Sequence, residues 1–324
     1  MHFLFGAACE SEKLAKRVSH DYLKDVYIRK GYTFMNKKNK TILAVVLLLG
    51  IFACILIGIE NKKLSENGTL EPLKVTILKV GQADAIVVQS GECTMIIDTG
   101  EEEDGEELVK FLKNQGISYV DTMIITHFDK DHVGGADTLV ESVEIGQIIA
   151  PDYEGNITEY YDFVHALENR GLSMLHLTKT LEFAFGDAVV KIEPPASYEV
   201  PESDKEVDNN FSLITTISHG DNNLLFMGDA QKQRIREWLS GDSVVDCDFL
   251  KVPHHGVYNK ALKELFEAIS PQYAVICSSS KNTAEAKTLE ALKQYNVSVL
   301  ETKDGDVTVI SNGVDLEIHQ DLDD

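Results

Sequence analysis

The segment Met123-Ile124-Ile125-Thr126-His127-Phe128-Asp129-Lys130-Asp131-His132-Val133-Gly134-Gly135 constrains this chain more than any other. An apolar run suited to a buried strand leads straight into a series of imidazole and carboxylate groups, and two glycines close the turn. Imidazole nitrogens suit zinc and similar borderline ions, while carboxylates also take harder ions such as manganese. A solvated polar turn would account for one His beside one Asp. The spacing His-x-Asp-x-Asp-His, after a strand and before Gly-Gly, points instead to a metal-binding loop at His127, Asp129, Asp131 and His132.

Three other segments accompany it. Val80-Gly81-Gln82-Ala83-Asp84-Ala85 lies upstream, while Phe226-Met227-Gly228-Asp229 and Lys251-Val252-Pro253-His254-His255-Gly256 lie downstream. In order and approximate spacing, over about residues 73–311, the four segments together resemble the metallo-β-lactamase superfamily. Asp129 stands where most members carry His, which is similar to the ComEC-like branch of competence-protein hydrolase domains.

The resemblance implies an α/β fold: an αβ/βα four-layer sandwich with two divalent metal ions, zinc or manganese, at one rim of its two sheets. It implies that His127 and Asp129 bind one ion, that Asp131, His132 and His254 bind the other, and that Asp229 joins them. Adjacent histidines at a strand end point in different directions, so one of the pair is expected to bind metal. Comparison with relatives carrying His-x-Gly favours His254 and leaves His255 facing the substrate. Asp84, on the opening loop, is expected to hold the metal loop through hydrogen bonds, so that Asp131, Asp84 and His255 make up the catalytic set. Asp229 also suits the N-cap of the helix that follows it, and the two roles are compatible. Asn210 and Ser212 match the branch's Asn-x-Ser pattern and are expected to bind substrate, Asn210 orienting it or a metal-bound water. Val257 and Asn282-Thr283-Ala284 depart from the branch, both where a substrate would be held.

Charge is unevenly placed. Residues 1–69 carry 11 basic and 6 acidic side chains, and residues 70–324 carry 19 and 47, within a net charge of −23. An acidic domain repels phosphate backbones at long range, which argues against tight, indiscriminate nucleic-acid binding. A phosphodiester held directly at a metal pair escapes that argument, because the ions dominate locally. Five scattered cysteines without a Cys-x-x-Cys pair do not form a disulfide framework and are assigned to the core.

Residues 41–59 contain no charge and are long enough to cross a bilayer as a helix of about 28 Å. Lys37, Lys38 and Lys40 before the run, with Arg29 and Lys30, favour a cytoplasmic N-terminus and an extracytoplasmic catalytic domain. The expected organisation is a cytoplasmic segment at 1–40, a single-pass transmembrane anchor at 41–59, a polar linker at 60–72 and the hydrolase domain at 73–324. Met35 is an alternative start, so that residues 1–34 need not belong to the native protein.

Within 73–324, strands and amphipathic helices alternate, which is the α/β class. Strands are expected at 73–80, 85–89, 94–98 and 120–126, with helices at 106–114, 137–143 and 157–169. The second half adds a loop at 194–208, a hairpin over 211–227, a helix at 230–239, a strand at 248–252, and a hairpin pairing 297–300 with 307–310. His165 and His176 are read as packed or surface histidines rather than ligands.

The function implied is a membrane-anchored hydrolase whose metal-bridging hydroxide attacks a phosphodiester, DNA or a smaller surface phosphodiester. The alternatives are a lactamase- or thioester-type carbonyl hydrolase and a non-catalytic, membrane-tethered binding protein. No protein partner is predicted.

Overall fold

The run Leu73-Lys74-Val75-Thr76-Ile77 opens the β structure, with Leu73, Val75 and Ile77 fully buried on the face that period-two alternation gives them. In a computed structural model, which describes residues 70–199 and 207–322, this run is strand β1. The unit considered below comprises Glu71–Leu181 and the chain from Phe185 onward. After β1 come β2 (Ala85–Ser90), β3 (Cys93–Thr99), α1 (Asp104–Asn114), β4 (Tyr119–Val120), β5 (Thr122–Ile124), α2 (Lys130–Val133) and α3 (Ala136–Ser142). Then follow β6 (Glu144–Ile145), β7 (Ile148–Pro151), α4 (Thr158–Arg170), β8 (Met174–Leu177), β9 (Leu181–Phe185) and β10 (Ala188–Glu193). The remainder is α5 (Val207–Asn210), β11 (Ile214–His219), β12 (Asn222–Phe226), α6 (Lys232–Leu239), β13 (Phe249–Lys251), α7 (Ala261–Ile269), β14 (Tyr273–Ile276), α8 (Ala286–Gln294), β15 (Ser298–Glu301), β16 (Val307–Ser311) and β17 (Leu316–Gln320).

The helices form where apolar side chains recur on one face. In α1, Leu108, Val109 and Leu112 are buried, acidic residues fill the first turn and Lys113 sits in the last, complementing the helix dipole. In α4, Tyr160, Phe163, Ala166 and Leu167 are buried, and Gly171 stops the helix in the left-handed conformation.

The first sheet runs β17-β16-β1-β2-β3-β5-β7-β8 and the second β15-β14-β13-β12-β11-β10-β9. In each, an antiparallel part gives way to parallel strands: β3, β5, β7 and β8 in the first, β12 through β15 in the second. Val87, Ile96 and Met123 pack with Leu108, Leu112, Leu139 and Phe163, so α1, α3 and α4 cover one face of the first sheet. Leu225, Leu250 and Ala274 pack with Ile235, Trp238, Leu262, Leu265 and Leu292, placing α6, α7 and α8 on the second. The alternate residues Ile86, Val88, Met95, Ile97, Phe226 and Phe249 are equally buried, so both faces of each sheet are covered. Bonds between the two sheets, among them Leu213 N–H to the Thr126 carbonyl at 2.9 Å and His219 Nδ1 to Ser311 Oγ at 2.8 Å, join those inner faces. The layers are therefore helix, sheet, sheet, helix, the expected α/β sandwich.

The elements depart from expectation in two places. The strand expected at 120–126 divides, since Tyr119–Val120 pairs with β6 in a small sheet while Thr122–Ile124 enters the main one. The strands expected to form a hairpin around Lys303–Asp306 do not pair with each other. β15 lies beside β14, and β16 crosses to the first sheet beside β1. A turn was visible in the sequence, but the partner of each strand was not, because pairing is set by burial across the whole sandwich. Among the described residues no helix is long and apolar enough to cross a membrane. The span expected at 41–59, with the segment 1–40 before it and residues 60–69 of the linker, lies outside the described residues.

Candidate metal centre

Asp98, the penultimate residue of β3, lies in the left-handed region, φ 58°, and turns its carboxylate under the 127–132 loop. Its two oxygens accept the Thr126 N–H and the Thr126 hydroxyl, each at 2.7 Å, and Nδ1 of His132 at 2.7 Å. With its proton given to Asp98, the Thr126 hydroxyl accepts from Nδ1 of His127 at 3.1 Å. Both imidazoles are thereby held with Nδ1 protonated and the Nε2 lone pair free to face a cation. Asp129 opens α2, its carbonyl accepting the N–H of His132 and Val133 at 3.0 Å. The two glycines that follow are required by space: a Cβ on Gly134 would lie 2.4 Å from the Lys130 carbonyl oxygen.

The second sheet supplies the other side. Gly228 follows β12 at φ 52°, and a Cβ there would lie 2.8 Å from Thr126 Oγ1. The chain passes close to the metal loop at this point and presents Asp229, whose N–H donates to Ser212 Oγ at 3.2 Å. After β13, Pro253–Gly256 forms a tight turn in which His254 and His255 both take positive φ, 49° and 48°. Such backbone costs roughly 1–3 kcal/mol per residue and persists where the surroundings over-determine it.

These turns meet. Nε2 of His132 lies 3.2 Å from Oδ1 of Asp229, and Nε2 of His255 lies 3.1 Å from Oδ2 of Asp229 and 3.3 Å from Oδ2 of Asp131. The ligand atoms of Asp131, His132, Asp229 and His255 all fall within 4.8 Å of one another. The rings of His127 and His132 stand 4.1 Å apart, and Nε2 of His127 is 3.5 Å from the Asp129 carboxylate. Nε2 of His127, His132 and His255 and Oδ1 of Asp229 are buried without a hydrogen bond, the close approaches being poorly aligned for one. Leaving each such group unsatisfied costs about 1–3 kcal/mol, a cost that divalent cations among them remove. Nitrogen and carboxylate donors in this number fit zinc or manganese.

The electrostatics agree. Burial opposes charge on every group here, yet His255 and His132 hold the Asp131 and Asp229 carboxyls well below the usual carboxylate range. In return, and again against burial, Asp229, Asp131 and Asp84 raise His255 to about 9, and Asp229 and Asp98 raise His132 well above its ordinary value. Beneath the cluster, the fully buried ammonium of Lys251 lies 2.6 Å from Oδ2 of Asp84.

Of the expected loop residues, Asp131 and His132 converge with Asp229, while His127 lies beside His132 and Asp129. Of the two adjacent histidines it is His255, not His254, that joins Asp131, His132 and Asp229. His254 stands at the rim, with Nε2 3.9 Å from Asp229 Oδ2 and 3.5 Å from Asn209 Nδ2. Two consecutive left-handed residues send the second ring inward, a geometry that alternation along a strand does not anticipate. Asn210 turns away, its Oδ1 accepting the Arg234 N–H at 3.2 Å, so Asn209 is the amide beside the site. The short helix α5 decides this, since adjacent helical residues face different sides. Ser212 is buried beneath Asp229 and steadies its backbone rather than facing a substrate. Asp229 does not cap α6, which starts later with Gln231 at the N-cap. Asp84 does steady the metal loop, though through its backbone: its N–H donates to the Asp131 carbonyl at 3.0 Å. Asp98 and Lys251 were seen only as a strand end and a strand residue. A fully charged Lys between Leu250 and Val252 in a buried strand was the available signal. His165 is exposed on α4, and His176 on β8 bonds the Pro151 carbonyl.

A cleft of about 430 Å³ opens over Asp131, His254 and His255, walled by Gln82, Glu101, Glu103 and Asn282.

The model of the family described as the Metallo-beta-lactamase superfamily matches residues 78–280. The chain is 26% identical over 283 residues to ComE operon protein 3 of Bacillus subtilis (strain 168), covering 80% of this chain and 34% of that one. It is 25% identical over 237 residues to Recombination protein 2 of Haemophilus influenzae, covering 71% and 27%. The chain thus spans about a third or less of the length of these curated relatives. The metallo-beta-lactamase fold protein YhfI from Bacillus subtilis superposes with a TM-score of 0.51 over 74% of this chain and all of its own, at 12% identity, a likeness of fold.

Proposed function

The chain belongs to the metallo-beta-lactamase superfamily, in its ComEC-like branch, and from that premise we propose that it is a two-metal hydrolase of phosphodiesters. The observation that carries the reading is the convergence of Asp131, His132, Asp229 and His255, among which Nε2 of both histidines and Oδ1 of Asp229 are buried without a hydrogen bond. His127 and Asp129 would hold one ion and Asp131, His132 and His255 the other, with Asp229 available to both. Bound divalent ions supply Lewis acidity for the attacking water and for charge that builds on the phosphoryl oxygens.

The chain's own residues supply the rest. Asp98 and Thr126 fix the tautomers of His132 and His127 so that Nε2 faces inward. His254, partly exposed at the rim, accepts the Asn209 side-chain N–H at Nε2, so its neutral ring carries the proton on Nδ1, from which a departing oxygen would be protonated.

The branch and the relatives' names, a recombination protein and a ComE operon protein, support DNA as the phosphodiester. The acidic domain favours a short or single-stranded substrate over a duplex. The apolar run at 41–59 supports a single-pass anchor with the catalytic domain outside the cytoplasm.

The test is a panel of bis-p-nitrophenyl phosphate, single-stranded DNA and nitrocefin, each with zinc or manganese. Turnover of the phosphodiesters, abolished by Asp131→Ala, supports the proposal. Turnover of nitrocefin alone would replace it with carbonyl hydrolysis, and no metal-dependent turnover of any probe would leave a binding protein.

A further inference from the structure

Lys251 has no role in the reading so far, and its position is unusual for its type. It is the last residue of β13 and is entirely buried, its ammonium 2.6 Å from Oδ2 of Asp84 and 3.1 Å from the Val252 carbonyl oxygen. A lysine is carried into a protein interior only with a partner that compensates its lost hydration. Asp84 is that partner, and burial notwithstanding, Lys251 lowers the Asp84 carboxyl below its ordinary value.

Asp84 itself touches both halves of the metal centre. Its N–H donates to the Asp131 carbonyl at 3.0 Å, and its carbonyl accepts the Gly100 N–H at 2.8 Å. Its second carboxylate oxygen, Oδ1, lies 3.5 Å from Nδ1 of His255, and both atoms are buried without a hydrogen bond. Asp84 also lies near Asp98 and His132 in a group that by distance alone would accept a metal ion. The ammonium settles the competition: one oxygen of Asp84 already bears a cation, and a divalent ion beside it would meet like charge at short range.

Resting on the metal centre proposed above, we infer that Lys251 is a positioning residue, a permanent internal cation that withholds Asp84 from the metal ions and fixes it as the acceptor for Nδ1 of His255. Nε2 of His255 then faces Asp131 and Asp229. The arrangement repeats on the second sheet what Asp98 does for His132 on the first. The difference is that the carboxylate of Asp84 lacks the Thr126 N–H and hydroxyl that Asp98 accepts, and carries the Lys251 ammonium in their place.

The experiment uses the full chain with Lys251→Met combined with Asp84→Asn, which removes both charges together and spares the fold an unpaired one. Zinc binding is titrated calorimetrically, and the visible spectrum of the cobalt-substituted protein is recorded. The inference expects a folded double variant in which the weaker zinc site loses affinity by roughly 10–100-fold and one of the cobalt bands changes, with Lys251→Arg restoring both in part. A folded double variant with wild-type affinities and spectrum overturns it. If the double variant does not fold, nitrogen NMR of the imidazoles in the zinc-loaded wild type decides: a His255 protonated at Nδ1 supports the inference, and one ligated through Nδ1 refutes it. Absence of zinc binding in the wild type itself would instead sink the metal centre.

Discussion

Asp98 and His132 are joined at 2.7 Å, carboxylate oxygen to Nδ1, with neither side chain reachable by solvent. The same carboxylate takes both donors of Thr126, so one residue at the end of β3 sets the ring of His132 and the start of the metal loop. Asp98→Asn keeps the shape but offers one acceptor oxygen in place of two. It should weaken zinc binding by roughly 10–100-fold, and it should lower the unfolding free energy by about 3–5 kcal/mol, the usual loss when one member of a buried charged pair is removed. Calorimetric zinc titration and urea denaturation measure the two effects.

His255 and His254 should behave differently despite being adjacent. His255→Ala removes a nitrogen from the group that includes Asp131, His132 and Asp229, so purified protein should carry one zinc fewer per chain than the wild type. His254→Ala should keep the zinc content and lose turnover, by about 10²–10⁴-fold if the ring is the proton donor. Metal analysis beside initial rates separates them, and equal zinc loss in both variants would contradict the assignment.

The metal-free protein should show a defined pH dependence. His255 and His132 have folded-state pKa values raised above their unfolded values, His255 to about 9. Their contribution to stability is complete below the unfolded value of about 6.5 and is lost as pH rises towards 9. Asp131 and Asp229 are depressed, so their contribution is present above about 4 and fails only in strong acid. Thermal melting of chelator-treated protein should therefore decline from pH 6.5 to 9. Zinc affinity should rise over the same range as the histidines lose protons. A melting temperature that climbs over that interval would be inconsistent with the placement of these rings.

Gly228→Ala tests the close pass between the sheets. The new methyl would stand 2.8 Å from Thr126 Oγ1, on backbone at φ 52°. A destabilisation of roughly 1–3 kcal/mol is expected from the backbone alone, with weaker metal binding because Asp229 is the next residue. Unchanged stability and zinc affinity would show that the two turns need not approach so closely.

For the apolar run at 41–59, membranes washed with alkaline carbonate should retain the full chain and release a chain beginning at Glu71. Release of both would exclude a spanning anchor.

Much of this was legible in the amino-acid sequence, and the reasons differ by residue. His127, Asp131 and His132 were visible because their spacing within one loop is local. Asp229 was visible through the family resemblance, which places a metal-binding Asp after the Gly228 strand end. The α/β class followed from alternating periodicities, and the acidic character of the domain from counting charges. The choice between His254 and His255 was not open to such reasoning. It rests on two successive left-handed residues, which strand alternation gives no ground to expect. Asn209 replaced Asn210 because a single helical turn rotates one of them away. Asp98 and Lys251 acquire their roles only from partners 34 and 167 positions distant in the chain, His132 and Asp84. β15 and β16 parted into different sheets for the same reason. The sequence determined which chemical groups the protein brings and which short turns carry them. Which of those groups face one another was decided by tertiary structure, because two sheets packing face to face align residues that no local spacing connects.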